Sequence, residues 1–330
     1  MRVVITGGTG FLGRRLARSL LDRGRLVDRE GKERAVETLL LFDKGPLADT
    51  PPDRRIETRE GDIADSAALA RLITPETDAV FHLAAVVSGE AEADTDLGYR
   101  VNFDGTRLLL EACRAAGNRP RVVFASSLAV YGGELPATVG EEVPLSPQSS
   151  YGTQKAIGEL LINDFSRKGY IDGRALRLPT VVVRPGRPNR AASTFASSIV
   201  REPLAGREAI CPVKPETVMA LSSPRRVVSA LLRAHDLPAS AFGANRSLQL
   251  PGFSVAVGEI AEAVRRAGGE EAYRRILWQP DPAIERIVSS WPQQLSATRA
   301  AALGFAADGG IDEAIAAFIE DDLEAQKALS

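Results

Sequence analysis

The first half of the chain alternates between two patterns of apolar residues. Short continuous runs, among them RVVIT, ETLLLFD, DAVFHLAA and RVVFASS, have the length and composition of buried parallel strands. The segments between them, such as GFLGRRLARSLLDRG and NFDGTRLLLEACRAAG, carry apolar residues at helical spacing. Six or seven strand–helix alternations run to about Val183. They predict an α/β fold of the Rossmann type, a doubly wound parallel sheet with helices on both faces.

The alternation loses its regularity beyond Val183. RPGRPNRAAS, CPVKP and SPRR are rich in proline and arginine and predict loops, whereas VAVGEIAEAVRRAGG and IDEAIAAFIEDDLEAQKAL predict helices. We therefore expect a nucleotide-binding domain over residues 1–183. Residues 184–330 should form mainly a smaller C-terminal substrate lobe, with the helix near Arg225–Ala234 packing back on the sheet.

Composition narrows the range of partners and locations. The 41 basic and 43 acidic residues give a net charge of -2, which argues against nucleic acid as a partner. The two cysteines and two histidines are too few for a disulfide framework or a multi-histidine metal site, so we expect no metal. No apolar segment has the length of a membrane span, and the apolar start is too short for a signal peptide. We expect a cytoplasmic protein without membrane contact.

The first strand runs directly into the glycine-rich stretch TGGTGFLG. Gly7, Gly10 and Gly13 fall at the turn into the first helix, where the backbone must approach a pyrophosphate closely. Phe11 and Leu12 open that helix, whose N-terminus attracts phosphate. The alternative, a tight turn without a nucleotide, is disfavoured by this strand–turn–helix setting.

Two aspartates follow later strands and suit the adenosine half of a dinucleotide. Asp43 ends the second strand, where a carboxylate can accept both ribose hydroxyls and repel a 2′-phosphate, which favours NAD over NADP. The polar insertion DRGRLVDREGKERAVE places it farther than usual from the glycines, and neighbouring Lys44 suits a phosphate. Asp62, followed by Ile63, is a candidate contact for the adenine amino group; a helix N-cap is the alternative.

The stretch SSYGTQK places Tyr151 four residues before Lys155. On a helix these side chains share one face, so the lysine ammonium is expected to lower the pKa of the tyrosine phenol. The pair is then a candidate proton acceptor. The alternative is a surface tyrosine and a solvated lysine on an ordinary helix.

The motifs TGGTGFLG, GDI, HLAA, VNFDGT, ASSLAVYG and YGTQK, in this order, resemble the extended short-chain dehydrogenase/reductase family over about the first 185 residues. That family includes nucleotide-sugar epimerases and dehydratases. The resemblance implies that Tyr151 is the acid/base and that Lys155 binds the nicotinamide ribose. Ser127 would hold the reacting oxygen while a hydride moves to the nicotinamide of NAD.

The same resemblance assigns supporting roles. Asn102 would support the helix of the active site and a water relay, Ser126 would position the backbone or contact the cofactor, and His82 would pack. Cofactor contacts are also implied for Leu83, Ala84, Ala85, Pro179 and Val181. Family habit implies a homodimer through the helices of TRLLLEACRAAG and YGTQKAIGELL.

Polar residues of the second lobe indicate the substrate. Thr180, Arg184, Asn189, Ser193 and Arg225 are candidates to converge on it, and an arginine suits a carboxylate or a phosphate equally. Solvated loop charges are the alternative for each arginine.

The phrases around these residues resemble family members that oxidise the C2 hydroxyl of a four-carbon sugar acid with NAD. The resemblance therefore implies a sugar-acid dehydrogenase. A nucleotide-sugar 4-epimerase is the first alternative and a non-catalytic NAD sensor the second. Leu128 and Ala129 stand where dehydratases carry an acidic pair, which counts against dehydration.

Overall fold

The structure, a computed structural model, describes residues 1–45, 53–187 and 192–329. In that part of the chain the strands are β1 (Arg2–Thr6), β2 (Arg25–Val27), β3 (Glu33–Ala35), β4 (Thr38–Asp43), β5 (Ile56–Glu60), β6 (Thr77–His82), β7 (Arg121–Ser127), β8 (Asp172–Leu178), β9 (Thr180–Val181), β10 (Ala209–Cys211), β11 (Val218–Ser222), β12 (Ser247–Gln249), β13 (Phe253–Ala256) and β14 (Ile276–Trp278).

The helices of the same residues are α1 (Phe11–Arg23), α2 (Ser66–Leu72), α3 (Ser88–Ala93), α4 (Thr95–Gly98), α5 (Gly105–Ala116), α6 (Ser150–Arg167), α7 (Thr194–Leu204), α8 (Pro224–Asp236), α9 (Ala239–Phe242), α10 (Val257–Arg274), α11 (Pro282–Ser289), α12 (Thr298–Ala302), α13 (Ile311–Asp321) and α14 (Leu323–Lys327). A π-helical segment, Tyr99–Asp104, precedes α5, and a 3-10 turn, Leu128–Val130, follows β7.

A seven-stranded parallel sheet in the order β12-β8-β7-β6-β1-β4-β5 forms the larger layer. Val3 and Ile5 of β1 face one apolar cluster and Val4 faces another, so both faces of the strand are buried. Helices α1 and α8 cover the first face, and α2, α5 and α6 cover the second. The predicted doubly wound α/β fold is confirmed. The strands after β1 are added first on one side of it, as β4 and β5, and then on the other side from β6 onward, and this switch opens a crevice at the carboxyl ends of β1 and β6.

The polar insertion before Asp43 is a hairpin. Strands β2 and β3 pair antiparallel, with Arg25 opposite Ala35, and Leu26 and Val36 tuck into the core. The hairpin returns the chain to the start of β4 beside β1. It therefore lengthens the sequence between the glycines and Asp43 without moving Asp43 away from them in space.

Beyond residue 183 the chain builds a second core and also returns to the first. Strands β9, β11 and β13 form one small sheet, β10 and β14 form another, and α7, α10 and α13 surround an apolar cluster of their own. Helix α8 packs against α1, while β12 joins the edge of the large sheet beside β8. Helix α7, which begins directly after a stretch predicted as loop, was not foreseen.

None of the helices described combines the length and apolar content that crossing a bilayer requires. Even α6 and α10, at 18 residues each, carry several charged side chains.

Candidate active site

A cavity of about 560 Å³ lies where the carboxyl ends of the large sheet meet the second lobe. Residues from before and after residue 183 line its wall. Most of the site residues that the sequence predicted line this cavity. They are Gly7, Gly10, Phe11, Leu12, Gly13, Leu83, Ala85, Ser126, Ser127, Tyr151, Lys155, Pro179, Thr180, Val181, Arg184 and Ser193.

The glycine turn is packed too tightly for side chains. Gly7 has a φ of 72°, and a Cβ there would lie 2.8 Å from the backbone nitrogen of Ala84. A Cβ on Gly13 would collide with the carbonyl oxygen of Gly7. Helix α1 follows Gly10 without a side-chain cap, which leaves its first N–H groups available to an anion. The turn therefore fits the pyrophosphate of a dinucleotide.

Asp43 lies beside this turn at the end of β4. Its Oδ2 accepts hydrogen bonds from the Thr9 backbone N–H at 3.0 Å and the Thr9 hydroxyl at 2.6 Å. Its Oδ1 accepts from the Lys44 backbone N–H at 2.8 Å. Thr9 was missed by sequence reasoning, although it stands inside the glycine motif. Asp43 does not line the cavity; its position at the switch point is next to the phosphate turn.

Asp62 does not cap α2, and its contact with the adenine stays a prediction. The N-cap of α2 is Asp65, which accepts from the N–H groups of Ala67 and Ala68, so the capping interpretation of Asp62 is wrong. Asp62 accepts instead from the Ala64 N–H at 2.9 Å and from Arg100 at 2.7 Å, and these bonds lower its pKa against the effect of burial.

Two predicted cofactor contacts lie behind the cavity wall. The Ile63 side chain is buried in the core against Gly105, and Ala84 packs its backbone against Gly7. Neither residue lines the cavity. Their side chains support the wall on which the cofactor would rest.

Helix α6 delivers the tyrosine and the lysine together. Ser149 caps it by accepting from the Gly152 N–H at 3.1 Å. The Lys155 Nζ donates to the carbonyl of Ala125, at 2.8 Å, and lies 5.6 Å from the centroid of the Tyr151 ring. The lysine is only 3% exposed. The alternative of two solvated surface side chains therefore does not describe this pair.

The electrostatics of the pair differ from the expected pattern. Burial raises the pKa of Tyr151, and a hydrogen bond with Ser127 and the charge of Arg184 oppose that rise. That Lys155 lowers this pKa stays a prediction; its ammonium donates to the Ala125 carbonyl and is itself desolvated. Burial lowers the pKa of Lys155 to about 8, against the charge of Glu159.

Asn102 acts from behind the site. Its Oδ1 accepts from the Val86 N–H at 2.9 Å, and its Nδ2 donates to the Gln154 Oε1 at 2.7 Å. It thereby ties the loop after β6 to α6. Gln154 was missed by sequence reasoning, although it stands between Tyr151 and Lys155 in the motif.

His82 takes the packing role expected of it. Its ring bonds to the Thr6 hydroxyl at 2.7 Å and the Thr106 hydroxyl at 2.9 Å. Burial, aided by the charge of Lys155, lowers its pKa to about 3. Thr106 donates to the Asn102 carbonyl, so it accepts from the histidine Nε2–H. His82 is therefore neutral. It links Thr6 to Thr106 by hydrogen bonds and is not a proton donor for catalysis.

The candidate substrate residues separate into two groups. Arg184 lines the cavity, donates to the Ser193 hydroxyl at 3.3 Å and forms no ion pair within the described ranges. Burial and the charge of Arg201 lower its pKa. Asn189 lies outside the described residues.

Arg225 is a correction to the sequence-based prediction. Its side chain is 44% exposed and pairs with Glu320, at 2.8 Å, and with Asp321. It lies on the outer side of α8, away from the cavity. The carboxylates near the end of α13 satisfy its charge, so it is the surface arginine of the stated alternative.

The second half of the chain also supplies wall residues that the sequence did not single out. Met219 of β11 and Trp291, just after α11, line the cavity, as does Glu92 of α3 from the first domain. Glu92 accepts from the Ser150 N–H at the start of α6, at 2.9 Å. No local motif marks these residues, because only the folded lobes bring them to the cavity.

A phosphate-binding turn at the switch point of a parallel sheet, with a tyrosine and a buried lysine of one helix in the same cavity, defines a Rossmann-type oxidoreductase that uses a nicotinamide dinucleotide. The chain belongs to the NAD dependent epimerase/dehydratase family, whose sequence profile matches residues 3–236. The family resemblance and the prediction of NAD are thereby confirmed.

Relatives match almost the whole chain. D-erythronate dehydrogenase of Cupriavidus necator is 52% identical over 321 residues, 97% of this chain and 98% of that protein. D-erythronate dehydrogenase of Haemophilus influenzae is 46% identical over 98% of this chain and 100% of that protein. A crystal structure described as a nucleoside-diphosphate-sugar epimerase from Agrobacterium tumefaciens has a TM-score of 0.92 and 42% identity, covering 98% of this chain and 95% of that one.

We predict that Gly13→Ala weakens NAD binding by about ten- to a hundredfold, because the new methyl group must push the helix away from the turn. Isothermal titration with NAD measures the loss. Gly169→Ala is the matched control: it has a φ of 75° with no neighbour within 4 Å, so it should cost stability of about 1 kcal/mol and leave NAD affinity unchanged. Wild-type affinity in Gly13→Ala would contradict the assignment of the phosphate turn.

Proposed function

We propose that this enzyme oxidises the C2 hydroxyl of D-erythronate to 2-dehydro-D-erythronate with NAD. The carrying observation is the half-buried guanidinium of Arg184 in the cavity of Tyr151, which forms no ion pair among the residues that the structure describes and therefore suits a small substrate with a carboxylate. The two relatives named D-erythronate dehydrogenase support the choice of acid.

The acid–base work falls to Tyr151. Its phenolate accepts the proton of the C2 hydroxyl, while Ser127 holds the oxygen in place by a hydrogen bond. The Ser127 hydroxyl and the Arg184 charge favour the phenolate against the effect of burial. Bound NAD supplies the acceptor for the hydrogen that leaves C2 with its electron pair. Lys155 remains charged at neutral pH, below its pKa of about 8, and would bind the ribose of NAD.

The substrate carboxylate is assigned to Arg184. A planar guanidinium binds both carboxylate oxygens, and a desolvated one does so more strongly than a surface arginine. Ser193, which already accepts from Arg184, orients the fork, and Thr180 lies on the same wall. The bound anion also offsets the charge of Arg184, so substrate binding and the protonation of Tyr151 are coupled.

The remaining candidates are assigned to the cofactor. Gly7, Gly10, Phe11, Leu12 and Gly13 would hold the pyrophosphate, and Asp43 the adenosine ribose. Asp62 and Ile63 would lie at the adenine, while the wall from β6, β7 and β9 would face the nicotinamide half. Asp43 favours NAD over NADP, because a 2′-phosphate would meet its carboxylate.

We further propose a homodimer that works in the cytoplasm. Leu160 on α6 is an apolar side chain left 64% exposed on the helix that family habit places at the subunit contact. A buried partner surface would cover it. Both cysteines, Cys113 and Cys211, are free and buried, as suits a reducing compartment.

The first test is NADH formation, followed by absorbance, with D-erythronate and its C2 epimer. We expect steady turnover of D-erythronate and little of the epimer. Tyr151→Phe should lower kcat by about a hundredfold or more while NAD still binds, because the proton acceptor is lost. Turnover at the wild-type rate in this variant would contradict the role of Tyr151.

The same assay separates the alternatives, since UDP-glucose and UDP-galactose run alongside with product analysis. Interconversion of the two sugars without NADH formation from any acid would favour the epimerase that the Agrobacterium structure is named for. NAD binding without either reaction would favour a sensor.

Replacing the proposed carboxylate anchor should act mainly on substrate binding. Arg184→Met is expected to raise the KM for D-erythronate by about 10- to 100-fold, because a charge-assisted hydrogen bond pair is lost. Steady-state kinetics measure the change, with Arg225→Met as the matched control on the outer surface. Equal KM values in the two variants would remove Arg184 from the carboxylate site.

The dimer is tested by sedimentation velocity across a dilution series. Leu160→Arg should raise the dissociation constant by about 30-fold or more, because a charge replaces a central apolar contact. Ile210→Arg, at an isoleucine that is 54% exposed on β10, is the control. A wild-type protein that sediments as a monomer would overturn the proposal.

A further inference from the structure

The face of α6 that carries the acid–base pair continues for one more turn. Tyr151, Lys155 and Glu159 follow one another at intervals of four residues and therefore lie on one side of the helix. The Glu159 side chain is only 2% exposed. A buried carboxylate one turn beyond a buried ammonium needs an explanation, because each charge loses its hydration.

Two side chains hold the Glu159 carboxylate in place. Arg177 of β8 donates its Nε to Oε1 at 3.0 Å and its Nη2 to Oε2 at 2.7 Å, which is a two-pronged pair. The Ser126 hydroxyl, at the end of β7, donates to Oε1 at 2.6 Å. Arg177 in turn donates to the Tyr131 hydroxyl at 2.6 Å. The network thus joins α6 to β7 and β8 directly behind the cavity.

Stability alone gives weak grounds for such a network. A buried ion pair loses hydration that its mutual attraction seldom exceeds, and an apolar pair of the same size would fill the space as well. What an apolar pair could not supply is a fixed negative charge beside Lys155. Ser126 also lines the cavity, so the carboxylate grips the strand end that carries Ser127.

We propose that Glu159 is a positioning residue of the acid–base site: its carboxylate, fixed by Arg177 and Ser126, keeps Lys155 charged and the end of β7 in place. The inference rests on the proposed function for the role of Lys155 in catalysis. Its electrostatic part concerns only this chain's own residues.

The titratable and charged groups around the lysine agree with this role. On α6 itself Tyr151 and Glu159 face it; β6 contributes His82, β8 contributes Arg177, and Tyr131 follows the 3-10 turn. His82, with its pKa near 3, is neutral, as is Tyr131, whose pKa burial raises to about 12. Burial lowers the pKa of Lys155 and Glu159 raises it, to a balance of about 8. Lys155 is therefore charged below that pH and loses its charge above it.

The test is Glu159→Gln, read first without substrate or cofactor. Reductive methylation labels the neutral amine, so the labelling rate of Lys155, followed by peptide mass spectrometry across neutral and alkaline pH, reports its titration. We expect the midpoint to move to lower pH by about one unit, because the neighbouring opposite charge is gone. The alkaline loss of kcat/KM for D-erythronate should move in the same direction.

A second variant guards against misfolding, since Glu159→Gln leaves the Arg177 guanidinium buried without its partner. Glu159→Gln combined with Arg177→Met removes both charges and should recover thermal stability while the Lys155 midpoint stays low. A wild-type midpoint in both variants would reduce Glu159 to a structural ion pair and overturn the proposal. Because the labelling needs no substrate, this failure is distinguishable from inactivity on D-erythronate.

Discussion

A buried cation, the Lys155 ammonium, is the constraint around which the active site is arranged. It donates to the Ala125 carbonyl, and the ring of Phe124 lies 4.7 Å away from it. Every neighbour must tolerate or balance that charge. His82 is neutral, and the carboxylate of Glu159 raises the pKa of the lysine. Burial is the main cause that keeps His82 neutral, and the charge of Lys155 adds to it.

Hydrogen bonds behind the cavity wall connect the strand before the glycine turn with helix α6. Thr6 at the end of β1 bonds to His82, His82 bonds to Thr106, and Thr106 bonds to Asn102. Asn102 then holds Gln154 on α6. The strand that leads into the phosphate turn is therefore linked, through neutral groups, to the helix that carries the acid–base pair.

The substrate side depends on a second, separate packing arrangement. The lobe beyond residue 183 has its own apolar core, yet α8 and β12 anchor it to the large sheet. That anchoring brings Arg184 into the cavity that Tyr151 lines. The charge that we propose to bind the sugar-acid carboxylate therefore also acts on the Tyr151 phenol, which we propose as the proton acceptor.

Local spacing in the sequence determined the sheet, its order of alternation, the glycine turn and the shared face of Tyr151 and Lys155, since each depends on neighbours a few residues apart. Partners far along the chain were decided only by tertiary structure. Asn102 donates a hydrogen bond to Gln154, 52 residues away, and Glu159 accepts hydrogen bonds from Arg177, 18 residues away.

Arg184 and Arg225 show the limit most clearly. Both looked equally suited to an anion, but the carboxylates near the end of α13 neutralise Arg225 at the surface, whereas Arg184 lines the cavity, half-buried and without an ion pair in the described part of the chain. Residue type and spacing state which charges are present; burial and the partner that arrives from elsewhere in the fold determine what each charge does.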